Sequence, residues 1–162
     1  MVIRDAQPDD FDAIAEITNP YIQHTTIHFS YEPVTAEGLR AVWAKAAGKY
    51  PFLVAIDPAD GVIGYAKASQ WRERTAYDRT AELGIYLRKE FQRKGLGRVL
   101  YLRLIEACRA KGFHALIGGI TMPNEPSVRL HLACGFVHIG TFPEVGWKFE
   151  GWHGVAFYQL ML

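Results

Sequence analysis

The chain has 162 residues, of which 49% are hydrophobic, 13% aromatic and 22% charged. That make-up predicts one soluble globular domain over residues 1–162, long enough to bury a full core. Eighteen Lys and Arg against 17 Asp and Glu leave a formal charge of +1, so no molecule-wide field draws in nucleic-acid phosphates or anionic membranes, and any basic site is local. No stretch approaches the ~20 apolar residues of a membrane-spanning helix. The opening Met1 to Asp5 carries an acid where a secretory signal needs a basic flank and an apolar run, so a cytoplasmic location is expected. Cys108 and Cys134 lie in helical patterns among apolar residues, outside any C-x-x-C spacing, and read as buried thiols.

In chain order, Val2 to Arg4 predicts a short strand. Pro8, Asp9 and Asp10 then open a helix with Phe11, Ile14, Ile17 and Tyr21 at helical spacing, the acids suiting its positive start. A second helix follows Thr35, its inward stripe expected at Leu39, Val42, Trp43 and Ala46 with Gly48 near its end. Phe52 to Ile56 and Val62 to Ala68 are β-rich runs joined by a turn over residues 57–61. Thr80 to Leu87 is a further strand. Leu96 to Lys111 is the longest helical pattern, with Val99, Leu100, Leu104, Ala107 and Cys108 expected inward and Gly112 as its stop. Ala115 to Ile120 predicts a strand, Glu125 to Cys134 a helix stopped by Gly135, and Phe136 to Phe142 and Gly154 to Leu162 two last strands. The resulting order βααβββαβαββ points to an α/β (α+β) fold, a mixed sheet with helices on its faces.

The stretch with chemical content is Gln92, Arg93, Lys94, Gly95, Leu96 and Gly97, between a strand and a long helix. Glycines there let backbone N–H groups face outward, the helix adds its positive end, and Arg93, Lys94 and Arg98 add charge, which together make a cradle for phosphate oxygens. A tight loop with a solvated basic face is the plain alternative. The nucleotide loop G-x-x-x-x-G-K-[ST] is absent, and the dinucleotide fingerprint lacks its third glycine.

Gln92, Gly95 and Gly97 fit the Q/R-x-x-G-x-G/A signature, and here the sequence resembles the GNAT N-acetyltransferases. A second signature of that family fits Asn124, Ser127, Leu130, Gly135 and Phe136, with His131 where many members carry tyrosine. The segments Trp71 to Asp78, Thr80 to Glu82, Pro123 to His131 and Gly151 to His153 are similar to the phosphinothricin and methionine-sulfoximine acetyltransferases, and the likeness runs from the first helix through Gln159. The resemblance implies a mixed, mostly antiparallel central sheet flanked by helices, acetyl-CoA as co-substrate and no metal. It further implies a cytoplasmic homodimer with a role in detoxification or herbicide resistance.

An amine attacking a thioester must first lose its proton, so a base is required. In the strand Thr80 to Leu87 the apolar Ala81, Leu83, Ile85 and Leu87 alternate with Glu82, Gly84 and Tyr86, which places Glu82 on the face away from the apolar layer. By spacing alone Glu82 is an ordinary surface acid; the resemblance makes it the general base. His131, with an unperturbed pKa of about 6.5, suits acid or base chemistry, and the resemblance implies catalysis without fixing the direction. Asn124 reads either as a helix cap or, by the resemblance, as a contact to the arm of the cofactor. The resemblance also has the backbone of Ile85, Tyr86 and Leu87 pairing with the pantetheine as an added strand.

Arg72 and Arg74, in a loop with Tyr77, carry guanidinium forks suited to a carboxylate or phosphinate, against the alternative of solvated loop charges. Phe29 and Tyr31 are candidates for the wall of an amino-acid pocket, or plain core aromatics. His24 and His28 have an H-x-x-x-H spacing, but no glutamate completes a zinc motif and no metal is expected. Trp147, Trp152 and His153 suit a C-terminal hairpin or a dimer contact. These residues lead to an expectation of acetyl-CoA-dependent acetylation of the α-amino group of a small amino acid or an analogue such as phosphinothricin, methionine sulfoximine or methionine sulfone. The alternatives are acetylation of a protein N-terminus or another amine, or a non-catalytic acyl-CoA-binding module. Nucleic acid and membrane partners are not expected.

Overall fold

The computed structural model describes residues 1–46 and 48–162. Seven strands form one sheet: β1 (Val2–Asp5), β2 (Phe52–Asp57), β3 (Gly61–Gln70), β4 (Thr80–Leu87), β5 (Ala115–Thr121), β6 (Val137–Lys148) and β7 (Gly151–Met161). Their spatial order is β1-β2-β3-β4-β5-β7-β6, antiparallel throughout except for the central β4/β5 pair. Four helices complete the fold: α1 (Phe11–His24), α2 (Ala36–Ala46), α3 (Leu96–Ala110) and α4 (Glu125–Ala133). The order of elements along the chain is the expected one.

Period-two alternation divides the sheet between two apolar layers. Leu53, Ala66, Ala81 and Leu83 face Leu100, Leu104 and Cys108 of α3, while Val54 and Tyr65 face Phe11, Ile14 and Ile17 of α1. Asp10 anchors the start of α1, its carboxylate accepting from both terminal nitrogens of Arg4 at 2.7 and 2.9 Å and from the Gln7 N–H at 2.7 Å.

The inward stripes differ from expectation at particular positions. Val42 is 68% exposed, because α2 packs across α1 only through its edge, with Leu39 and Trp43 half-buried against Phe11. Val99 is also exposed, and Tyr101 and Ile105 are buried in α3 instead. The stripe therefore runs through positions 96, 100, 101, 104, 105 and 108, and the apolar Val99 falls just outside it. β6 also continues beyond Phe142 to Lys148. Pro143 is tolerated because β6 is the sheet edge and its register shifts between Phe142 and Gly146. The Trp147 and Trp152 rings face each other across the hairpin at 5.2 Å.

Candidate active site

The central parallel ladder is short. β4 and β5 pair only over Thr80↔Ala115, Ala81↔Leu116 and Glu82↔Ile117, although β4 stays paired with β3 as far as Leu87. Beyond Glu82 the strands part, leaving one backbone edge of Leu83 to Leu87 without a strand neighbour. The fork opens into a cleft of about 460 Å³. Its lining includes Phe29, Glu82, Ile85, Tyr86, Asn124 and His131, so six of the residues singled out from the sequence converge there.

Glu82 sits at the base of the fork, on the sheet face opposite the α3 layer, as the alternation expects. Its carboxyl lies beside Gly119 of β5, where an added Cβ would stand 3.3 Å from Oε1. Burial pushes its pKa above the ordinary carboxylate value, against the opposing pull of the Arg72 and Lys67 charges. A carboxyl tuned upward this way is a better proton acceptor while staying ionisable.

His131 occupies the last turn of α4 and is 4% exposed. Its Nδ1 lies 2.8 Å from the Ser127 carbonyl oxygen and its Nε2 2.9 Å from the Tyr101 hydroxyl. The carbonyl only accepts, so Nδ1 carries the proton and Nε2 accepts from Tyr101. Burial lowers the His131 pKa, which favours the neutral imidazole. It exchanges a proton with a reacting group only by giving up one of these two bonds. Gly118 makes room for the ring, since a side chain there would collide with it. Asn124 both lines the cleft and caps α4, its Oδ1 accepting from the Ser127 N–H at 3.3 Å.

The loop Gln92 to Gly97 closes the far end of the fork. Arg93 and Gly95 both take positive φ, 60° and 81°, and Gly95 is the residue from which α3 starts. Among the described residues the N–H groups of 93–97 donate to no backbone carbonyl, and they lie at the positive helix end. A Cβ added at Gly97 would come into ordinary van der Waals contact with Ile85, Leu87 and Leu130, so the loop lies alongside the fork. Leu96 is buried under it, while Arg93, Lys94 and Arg98 are exposed. The Gln92 side chain turns inward, donating to the Tyr21 hydroxyl at 2.7 Å, and Tyr21 donates to the Leu87 carbonyl at 2.6 Å. Gln92 thus fixes the loop to the end of β4.

The remaining candidates lie outside the lining. Arg72 stacks on Trp71 at 4.8 Å and reaches the Glu82 carboxyl only through its charge. Arg74 is exposed at the start of a 3-10 turn, Thr75–Tyr77, and Tyr77 is exposed at its end. Tyr31 is 61% exposed, and its hydroxyl donates to the Trp147 carbonyl at 2.5 Å. Sequence reasoning missed Lys67, Ser69 and Gly119 and gave Ser127 only as a signature match, and all four line the cleft. The signal in β3 was present: Lys67 is the one cation inside an otherwise apolar and small strand pattern. His28, weighed above only for metal, also faces the cleft. Its segment is anchored by the buried Lys148, whose Nζ donates to the carbonyls of Ile22, Thr25 and His28 at 2.5, 2.8 and 2.6 Å.

A strand with a free backbone edge, running into a glycine loop at a helix start, suits a long ligand with phosphates at one end. Together with a half-buried carboxyl at the fork, this arrangement suits the transfer of an acyl group from such a carrier to an amine. The profile of the acetyltransferase (GNAT) family matches residues 11–136, and the chain belongs to that family and is an N-acetyltransferase. It is 40% identical to phosphinothricin N-acetyltransferase of Streptomyces viridochromogenes, over 97% of this chain and 85% of that protein. It is 39% identical to the L-methionine sulfoximine/L-methionine sulfone acetyltransferase of Pseudomonas paraeruginosa, over 99% of this chain and 94% of that one. Among solved structures, a phosphinothricin acetyltransferase of Sinorhizobium meliloti in complex with acetyl-CoA superposes with a TM-score of 0.95 at 34% identity, over 99% of this chain and 88% of that chain.

Proposed function

We propose that the protein transfers the acetyl group of acetyl-CoA to the α-amino group of a small amino acid or analogue, of the kind represented by phosphinothricin, methionine sulfoximine and methionine sulfone. The observation that carries this reading is the position of Glu82, a carboxyl raised by burial at the point where β4 and β5 part. The substrate names of the relatives at 39–40% identity support the amino-acid class.

Acetyl-CoA supplies an acetyl group already activated as a thioester. The N–H groups of residues 93–97 and the start of α3 hold its phosphates, with Arg93, Lys94 and Arg98 as surrounding charge. The free edge of Leu83 to Leu87, including Ile85 and Tyr86, binds the pantetheine arm as an added strand would bind. Asn124 borders that path. Glu82 takes the proton from the substrate ammonium, leaving a free amine. His131 is the second proton carrier. Phe29 walls the amino-acid end of the cleft, and Arg72 adds positive charge toward Glu82, while Arg74, Tyr77 and Tyr31 are exposed outside the lining. No metal takes part.

The exposed apolar side chains of the β6/β7 hairpin, among them Val137, Ile139, Phe142, Val145, Trp147 and Trp152, support a homodimer through that surface. No helix among the described residues is long and apolar enough to cross a membrane.

A panel of amino acids, analogues and peptide N-termini, incubated with acetyl-CoA and read by thiol release, tests the reading. Turnover of methionine sulfone or phosphinothricin by the parent, lost in Glu82→Gln, is expected. Preference for peptide N-termini or simple amines over all amino acids would overturn it.

A further inference from the structure

Lys67 stands on β3 directly across from Gly84, one diagonal step from the Ser69↔Glu82 pair, on the sheet face that lines the cleft. Its cross-strand neighbour Gly84 has no side chain to fill the space beside the lysine. Lys67 and Glu82 feel each other's charge but are not in contact as an ion pair, and among the described residues no side chain pairs with the Lys67 ammonium. The nearby groups include no anion other than Glu82: His28 also faces this space and is itself pushed toward its neutral form by burial and by the charges of Lys67 and Lys148. A half-buried cation with no partner is costly to keep unless something in use completes it.

We infer that Lys67 is a substrate-recognition residue, receiving an oxyanion of the amino-acid substrate while Glu82 faces its ammonium. This rests on the amino-acid reading of the same cleft. An α-amino acid carries opposite charges two bonds apart, and Glu82 and Lys67 offer the opposite charges in the complementary order across one sheet face. The oxyanion is a carboxylate, or a phosphinate where the side chain carries one. Arg72, stacked on Trp71 outside the lining, then attracts the substrate, and Lys67 orients it inside.

The test measures kcat and KM for the parent, Lys67→Met and Lys67→Arg with four substrates: methionine sulfone, its carboxamide, phosphinothricin and its α-carboxamide. Calorimetric Kd values of the same compounds in the presence of CoA give a readout apart from turnover. Lys67→Met is expected to raise KM and Kd for phosphinothricin by about 10- to 100-fold, the scale of a charge-assisted hydrogen bond, and for methionine sulfone as much if the α-carboxylate is the ligand, with Lys67→Arg recovering much of the loss. If the α-carboxylate is the ligand, the penalty shrinks at least tenfold for both carboxamides. If the phosphinate is the ligand, the penalty persists for the carboxamide of phosphinothricin and is small for methionine sulfone. Lys67 also favours the ionised form of Glu82, but that influence enters kcat equally for all four compounds. An equal loss on all four, or no loss on any, would therefore overturn the proposal while leaving the acetyltransferase reading intact. Absence of turnover of every one by the parent would overturn both.

Discussion

The carboxyl of Glu82 lies against the backbone of Gly119, and a Cβ on residue 119 would stand 3.3 Å from both its Oε1 and the Phe157 ring. The carboxyl on β4 thus occupies space that β5 leaves by lacking a side chain. Gly119→Ala should fold and bind acetyl-CoA as the parent does, yet lower kcat by about 10- to 100-fold by displacing the carboxyl. Glu82→Gln should lower kcat by about 10²- to 10⁴-fold. Parental kcat in both variants would remove Glu82 from the reaction.

The pH profile follows from the same carboxyl. Glu82 must be ionised to accept a proton and its pKa is raised, so kcat/KM should fall on the acid side at a higher pH than a solvated carboxylate would give. Arg72 favours the ionised form, so Arg72→Ala should move that limb upward. Arg74 is a surface charge, and Arg74→Ala should leave the limb in place and change kcat/KM by less than about 0.5 kcal/mol. A loss of about 1.5–3 kcal/mol confined to carboxylate substrates would instead make Arg74 a direct ligand.

Gly95 carries φ 81° at the start of α3. Gly95→Val should strain the loop and fill the phosphate cradle, so the thermal shift given by acetyl-CoA should vanish in a variant that still unfolds cooperatively. A full shift in that variant would place the cofactor phosphates elsewhere.

Burial holds the His131 pKa below its ordinary value of about 6.5. As pH falls below that value, unfolded chains take up a proton that folded His131 still refuses, so stability should drop over this window and be fully present above it. Thermal melts between about pH 4.5 and 8 should show a shallower acid-side decline in His131→Gln than in the parent. Parallel curves would mean that His131 titrates alike in both states.

Lys148 crosses from β6 to fasten the segment that carries His28 and Phe29. Lys148→Met should leave three carbonyls without their donor and lower stability by about 1–3 kcal/mol in urea unfolding. Amide exchange should quicken over residues 25–29 well before the rest of the chain, with a rise in the amino-acid KM. Unchanged exchange in that segment would contradict the anchoring role.

Local chemistry alone settles much of this protein. Strand alternation set Glu82 apart from the layer of Ala81 and Leu83, the glycines at 95 and 97 marked the start of α3, and the order of elements followed from periodicity and punctuation. Such features depend on residues a few positions apart, which the sequence states directly. The parting of β4 and β5 after Glu82↔Ile117 is a long-range register and leaves no mark in either strand taken alone. Only tertiary packing set Lys67 opposite Gly84, turned the Gln92 side chain to Tyr21, closed the two nitrogens of His131 with Ser127 and Tyr101, and left Tyr31, Arg74 and Tyr77 facing solvent. Each of these depends on which side chain a distant segment brings near, and on how much water the surrounding atoms exclude.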